Sequence, residues 1–76
     1  LSKRIIDLSE RYGQPDENGN IKINMRLRQQ DLADMVGATR ESVNKMLKTY
    51  KQKTLIELQR GYLTILDDEG LRRRAR

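Results

Sequence analysis

The twenty residues 29–48, QQDLADMVGATRESVNKMLK, limit the possible folds more than any other part of the chain. Apolar residues recur at helical spacing on each side of Gly37. Glycine ends helices readily because it adopts the left-handed backbone conformation without Cβ strain. Thr39 then offers a hydroxyl as the N-cap of a second helix that begins at Arg40. The segment therefore predicts a helix-turn-helix over about 29–50.

The two predicted helices have matching apolar faces. In the first helix, Leu32, Ala33 and Val36 form a narrow face, and Ala33 is small where the two helix backbones would approach most closely. In the second helix, four apolar residues follow the i, i+3, i+4, i+7 pattern: Val43, Met46, Leu47 and Tyr50. The remaining face is polar and mostly basic, and it consists of Arg40, Glu41, Asn44, Lys45 and Lys48. Side chains of these types hydrogen bond to the edges of bases, so the second helix is a candidate recognition helix.

The residues before this segment predict one more helix and one strand. Residues 2–12 place apolar side chains on one face, Tyr12 among them, which predicts a helix of about three turns. The segment 13–19, GQPDENG, is rich in turn-forming residues and predicts a loop. Apolar and polar residues then alternate over 21–25, IKINM, which predicts a short half-buried strand.

The residues after the second motif helix predict a β-hairpin. LIEL at 55–58 and YLTIL at 62–66 are rich in strand-forming residues. Gly61, between them, suits the positive φ that such a turn needs. The hairpin follows the recognition helix directly, so it predicts a wing over about 55–66.

The carboxy-terminal residues predict a last short helix. Asp67 or Asp68 caps a helix that continues through Leu71, and the RRRAR tail is interpreted as a solvated end rather than as a second binding site. A chain of 76 residues without an internal repeat suits one domain. The predicted fold class is mainly α with small β-hairpins (α+β), a single winged helix-turn-helix domain over 1–76.

Composition narrows the possible functions. The net charge is +5, and residues 40–53 hold five basic residues against one acidic residue, which favours a polyanionic partner. The chain has no cysteine and no histidine, which excludes disulfides, cysteine-ligated zinc, iron–sulfur clusters and catalysis by His or Cys. No apolar run approaches the length of a membrane span, which is about 20 residues. An enzyme is therefore not expected, and neither is a metal site or a membrane partner.

Four segments carry a resemblance to a known family: LADMVGATRESVNKMLK, the wing turn Arg60-Gly61, the LTILD strand end, and the IKI strand before the motif. On these segments the chain resembles, over 1–76, the carboxy-terminal DNA-binding domain of the CRP/FNR family of bacterial transcription regulators. The resemblance implies sequence-specific binding of double-stranded DNA in transcription regulation, with the recognition helix 40–50 in the major groove of a palindromic half-site. It also implies a homodimeric full-length protein in the bacterial cytoplasm, associated with the nucleoid, with RNA polymerase as a further partner.

The resemblance also implies roles for individual residues. By analogy with the family, Arg40 would donate to a guanine and Glu41 would accept from a cytosine amino group. Asn44 and Lys45 complete the predicted base-reading set, and Lys45 stands where the family often has arginine, so the base that it faces stays open. The predicted phosphate contacts are Arg28, Thr39, Ser42, Lys48 and Arg60. Arg28 stands where the family often has a capping threonine, so its expected contact is through the guanidinium group.

The sequence leaves two questions open: what lies outside this chain, and whether the domain reads bases. The chain begins at Leu1 without Met, and the resemblance implies an amino-terminal sensor and dimerisation domain outside it, where an effector such as a cyclic nucleotide would bind. No cofactor is expected in this domain. The alternative function is a winged helix that contacts protein or RNA without base reading. In that case Arg40 and Glu41 only solvate a helix start, Thr39 and Ser42 are only capping residues, and Arg60 is a plain turn residue.

Overall fold

The computed structural model describes residues 1–75, which fold into four helices and one four-stranded antiparallel sheet. The elements in chain order are α1 (Ser2–Tyr12), β1 (Gly13–Pro15), β2 (Ile21–Ile23), α2 (Gln29–Val36), α3 (Arg40–Gln52), β3 (Ile56–Gln59), β4 (Tyr62–Ile65) and α4 (Asp68–Arg74). The strand order in the sheet is β1-β2-β4-β3. This arrangement confirms the predicted α+β fold class and the predicted helix-turn-helix with a following wing.

One hydrophobic core joins the helices to the sheet. Five of its members have no exposed surface and come from five different elements: Ile5, Ile23, Val43, Leu63 and Leu71. Burial of aliphatic side chains stabilises the fold by about 25 cal/mol for each Å² of apolar surface removed from water. Because α3 contributes to this shared core, its orientation is set by the whole domain rather than by α2 alone.

Local signals build the helix-turn-helix as predicted. α2 ends at Gly37, whose φ of 68° and ψ of 33° are left-handed. α3 begins after Thr39, whose side-chain oxygen accepts a hydrogen bond from the backbone N–H of Ser42 at 3.1 Å. At the contact between the two helices Leu32 and Ala33 are buried, whereas Val36 is half-buried. The prediction of two short helices packed through a small residue is confirmed.

The wing is a β-hairpin with a two-residue turn, and it packs against the rest of the domain. Arg60 and Gly61 have φ angles of 55° and 85°, the paired positive values that short hairpin turns favour. Strand β4 pairs with β3 on one side and with β2 on the other, with Ile21 opposite Ile65. The backbone N–H of Leu27 also donates to the Gly61 carbonyl at 2.8 Å. The wing is therefore fixed to the segment that leads into α2.

The amino-terminal half differs from the prediction in three places. Residues 13–15 were predicted as loop but form β1, which pairs with β2, because the Asp16 carboxylate accepts from two backbone N–H groups of the loop and closes a hairpin. The strand predicted over 21–25 ends at Ile23, where the chain turns toward α2. Tyr12 was predicted on the apolar face of α1 but is 46% exposed, since it is the last residue of the helix.

The carboxy-terminal helix is longer than predicted. Asp67 caps it by accepting from the Gly70 N–H at 3.0 Å, as expected, but α4 continues past Leu71 to Arg74. Arg72 donates to Asp68 at 2.8 Å and to Glu10 of α1 at 3.3 Å. The hydrogen bond to Asp68 raises the pKa of the Arg72 guanidinium. Arg72, Arg73 and Arg74 are nevertheless exposed, as expected of a solvated end, and the last residue of the tail lies outside the described residues.

Candidate nucleic-acid interface

Helix α3 presents all of its predicted base-reading residues on its exposed side. The inward side chains of the same helix, Val43, Leu47 and Tyr50, are buried. Met46, also predicted on the apolar face of α3, is half-buried. The outward residues form two adjacent rows, because residues four apart lie on the same face of a helix. One row contains Arg40, Asn44 and Lys48, and the other contains Glu41 and Lys45; all five are exposed. The structure thus brings together the whole set that the sequence predicted for base reading.

The start of α3 holds two hydroxyl groups in a defined geometry. Thr39 Oγ1 accepts from the Ser42 backbone N–H and donates to Ser42 Oγ at 3.0 Å. Because Ser42 Oγ accepts this bond, its own O–H is available to donate outward. The helix dipole also places partial positive charge at this end, which favours an anion. The capping role of Thr39 is confirmed, and phosphate contact by Thr39 and Ser42 stays a prediction.

A side-chain hydrogen bond links α2 to the middle of α3. Gln29, the first residue of α2, donates from Nε2 to Asn44 Oδ1 at 2.8 Å. The sequence reasoning did not assign a role to Gln29. The available signal was weak, because a glutamine at a helix start is common on protein surfaces and its partner lies fifteen residues away.

Three arginines surround the wing turn. Arg26 donates from Nε to the Arg60 carbonyl at 3.3 Å, and its aliphatic part lies so close to Gly61 that a Cβ added there would be 3.0 Å from Arg26 Cγ. Arg28 lies beside them, with its Nε 3.8 Å from Asp31 Oδ2 and its side chain 87% exposed. Arg26, Arg28 and Arg60 together line one shallow hollow with Asp31. The sequence predicted phosphate contacts for Arg28 and Arg60 and assigned no role to Arg26.

A groove runs between α3 and the wing. Basic side chains from four parts of the chain line it, namely Arg28, Arg40, Lys51 and Arg60. Lys48 and Lys51 line the adjoining hollow beside Leu58 of the wing. Lys51 was counted in the basic segment of the sequence but was not assigned to the site. Its position shows that the positive surface extends from the exposed face of α3 to the wing.

Within residues 1–75 no group of three or more acidic, His or Cys side chains is arranged to hold a metal ion. In the same residues no helix is long and apolar enough to cross a membrane.

Comparison with known proteins connects this geometry to a family. The family model described as the Crp-like helix-turn-helix domain matches residues 1–74. The chain is 37% identical over 76 residues to the CRP-like cAMP-activated global transcriptional regulator of Mycobacterium tuberculosis, covering all of this chain and 34% of that protein. It is 41% identical over 66 residues to the anaerobic regulatory protein of Bacillus subtilis, covering 87% of this chain and 27% of that protein.

A solved structure agrees with the sequence comparisons. A transcriptional regulator of the CRP/FNR family from Thermus thermophilus superposes with a TM-score of 0.82 at 26% identity, covering 95% of this chain and 36% of that chain. The chain therefore spans about a third of the length of the relatives it matches. The resemblance inferred from the sequence is confirmed. This chain belongs to the family of Crp-like helix-turn-helix domains, which bind DNA sequence-specifically in transcription regulation.

Proposed function

We propose that this chain binds one half of a palindromic DNA site with α3 in the major groove. One observation carries the proposal: the two exposed rows on α3, with Arg40, Asn44 and Lys48 in one and Glu41 and Lys45 in the other, stand on a helix whose opposite side is buried. The major groove is about 12 Å wide and admits a single α-helix. A helix held in this way would offer its polar rows to the base edges while the domain body stays outside the groove.

Base reading is assigned to the first two turns of α3. Arg40 would donate two hydrogen bonds to a guanine, and Glu41 would accept from a cytosine amino group. The carboxylate of Glu41 would be repelled by DNA phosphates unless it accepts a hydrogen bond from a base. Its exposed position on α3 therefore supports base reading rather than simple charge attraction. Glu41 forms no ion pair with Lys45 in the part of the chain that the structure describes. Asn44 and Lys45 would read the next bases along the groove.

Phosphate contacts are assigned to the two sides of α3. Thr39 and Ser42 at its start and Lys48 further along would contact one strand. Arg28 and Arg60 at the wing side would contact the other strand. Arg26, which lines the hollow at the wing turn, and Lys51, which lines the groove, are added to this group. Each phosphate that a lysine or arginine neutralises releases counterions, so this part of the binding falls with salt and carries no base preference.

The remaining proposals concern the longer protein. Its relatives are about three times as long as this chain, and one of them is described as cAMP-activated. We propose a sensor and dimerisation domain outside this chain, with an effector such as a cyclic nucleotide bound there and not in this domain. The dimer would act in the bacterial cytoplasm, associated with the nucleoid, and would contact RNA polymerase. Regulation without enzymatic activity is the function proposed for the whole protein.

Selection of bound duplexes from a random pool tests the proposal. The full-length protein should enrich a palindromic consensus, and each half should contain a guanine–cytosine step opposite Arg40 and Glu41. A matched selection with the Arg40→Ala, Glu41→Ala double variant should lose that step and keep the remainder of the consensus. Absence of any enrichment would favour the alternative, a winged helix that contacts protein or RNA without base reading.

A further inference from the structure

The hydrogen bond between Gln29 and Asn44 joins the two helices of the motif at the DNA-facing surface. Among the side-chain hydrogen bonds of the described residues, it is the one that connects α2 to α3. Gln29 is half-buried, whereas Asn44 is exposed. Both residues line the hollow beside Lys48, so the bond lies within the proposed contact surface and not behind it.

The direction of the bond decides which end of the Asn44 amide faces outward. An asparagine side chain has an accepting oxygen and a donating NH₂ group on opposite sides of Cγ. Asn44 Oδ1 accepts from Gln29 Nε2 at 2.8 Å, and with this assignment of the amide oxygen and nitrogen the oxygen points toward α2. Nδ2 then points away from α2, and it donates to no side chain or carbonyl in the described part of the molecule. Asn44 therefore presents its NH₂ group, a donor, to a ligand that binds the exposed face of α3.

We infer that Gln29 is a positioning residue that makes Asn44 a hydrogen-bond donor in DNA recognition. The inference rests on the proposed function, because it assumes that Asn44 faces a base. Guanine offers only acceptors at its major-groove edge and thymine offers an acceptor, whereas cytosine offers a donor. The domain should thus prefer guanine or thymine at the base facing Asn44 and should discriminate against cytosine. The usual bidentate pairing of asparagine with adenine is disfavoured, because the Asn44 oxygen is already engaged.

Gln30 provides a matched control for Gln29. It is the next residue of the same helix and is exposed, and its Nε2 donates to Asp34 Oδ1 at 2.9 Å. Gln30→Ala thus removes a side-chain hydrogen bond that a glutamine amide of α2 donates, here to a carboxylate, without touching α3. A difference between Gln29→Ala and Gln30→Ala would report the link to Asn44 and not a general effect on α2.

The experiment measures binding of the full-length protein to four duplexes that differ only at the base pair facing Asn44. That pair is located as the step whose preference Asn44→Ala removes. Gln29→Ala should lower the preference for the favoured base about fivefold, since an exposed hydrogen bond contributes on the order of 1 kcal/mol. Gln30→Ala should leave it unchanged. In the Asn44→Ala background, Gln29→Ala should have no further effect, and the thermal melts of the two glutamine variants should match.

Gln29→Glu reverses the polarity of the bond. A carboxylate only accepts, so it would draw Asn44 Nδ2 toward α2 and turn Oδ1 toward the DNA. Relative preference should then shift toward cytosine or adenine, while all four duplexes bind more weakly because of the added negative charge. Comparing ratios among the four duplexes removes that uniform loss.

The outcomes separate the inference from the proposed function. If the wild-type protein shows no base preference at any step, the proposed function is wrong. If Asn44→Ala removes a preference but Gln29→Ala retains it, Gln29 does not position Asn44 and the inference is overturned. The inference is equally overturned, with the proposed function intact, if Arg40→Ala alters the consensus while Asn44→Ala alters no step.

Discussion

Replacement of Arg40 distinguishes base reading from general attraction to DNA. Arg40 is the first residue of α3, is exposed, and forms no ion pair within the described residues. Alanine is a better helix former than arginine, so Arg40→Ala should leave the stability of the domain nearly unchanged. Any change in DNA affinity therefore reports a lost contact with DNA and not a damaged fold.

The size of the effect follows from the contact that Arg40 is proposed to make. A bidentate arginine–guanine pair contributes about 1–3 kcal/mol of discrimination, so Arg40→Ala should weaken binding to the consensus about 5-fold to 150-fold. Binding to a scrambled duplex should change much less, because it depends on the phosphate charge. Arg40→Lys is the sharper variant: it keeps the charge but lacks the planar fork, so it should lose discrimination while retaining affinity for scrambled DNA.

Fluorescence anisotropy with both duplexes at several salt concentrations checks this prediction. Lys48→Ala is the control, since a phosphate contact should weaken both duplexes alike and reduce the slope of log K against log salt by about 0.9. Equal losses on consensus and scrambled DNA for Arg40→Ala, with a reduced slope like that of Lys48→Ala, would refute the base-reading role of Arg40.

Three further predictions concern the turn, the specificity and the core. Gly37→Ala should destabilise the domain by about 1 kcal/mol in urea unfolding, because an alanine is strained at the φ of 68°. A clash does not contribute, since an added Cβ meets nothing within 4 Å, and an unchanged free energy of unfolding would refute the strain. Lys45→Arg should sharpen the selected consensus toward guanine at the base facing residue 45, and an unchanged consensus would argue against a reading role. Leu71→Ala should cost about 2–5 kcal/mol because Leu71 has no exposed surface, whereas Arg72→Ala, which removes an exposed ion pair, should cost much less. Similar melts for the two variants would contradict this ranking.

The helix-turn-helix was predictable because its signals are local. Gly37 ends α2 through its own backbone freedom, and Thr39 caps α3 through a residue three positions away. The wing turn at Arg60-Gly61 follows the same logic, since positive φ angles at two adjacent residues define it. The predicted base-reading set lies on one exposed face because helical periodicity alone determines which residues share a face.

Two proposed phosphate contacts that the sequence did not assign, Arg26 and Lys51, depend on long-range contacts. Arg26 lines the hollow at the wing turn because it bonds to the Arg60 carbonyl, thirty-four residues away. Lys51 lines the groove because the wing folds back beside α3. Neither residue carries a local signal that distinguishes it from an ordinary surface side chain, so the pattern of the sequence was not sufficient to assign them.

The sequence by itself determined helix α3, its cap, the turn before it and the wing turn, because each depends on residues within a few positions of one another. Only the tertiary structure decided three other features. Strand β1 exists because Gly13 pairs with Ile23, and α4 packs against α1, where Arg72 reaches Glu10, sixty-two residues away. The orientation of the Asn44 amide depends on Gln29 in the preceding helix. The partner lies ten residues away for Gly13, fifteen for Asn44 and sixty-two for Arg72, beyond the few positions over which caps and turns act, and folding brings the groups of each pair within hydrogen-bonding distance.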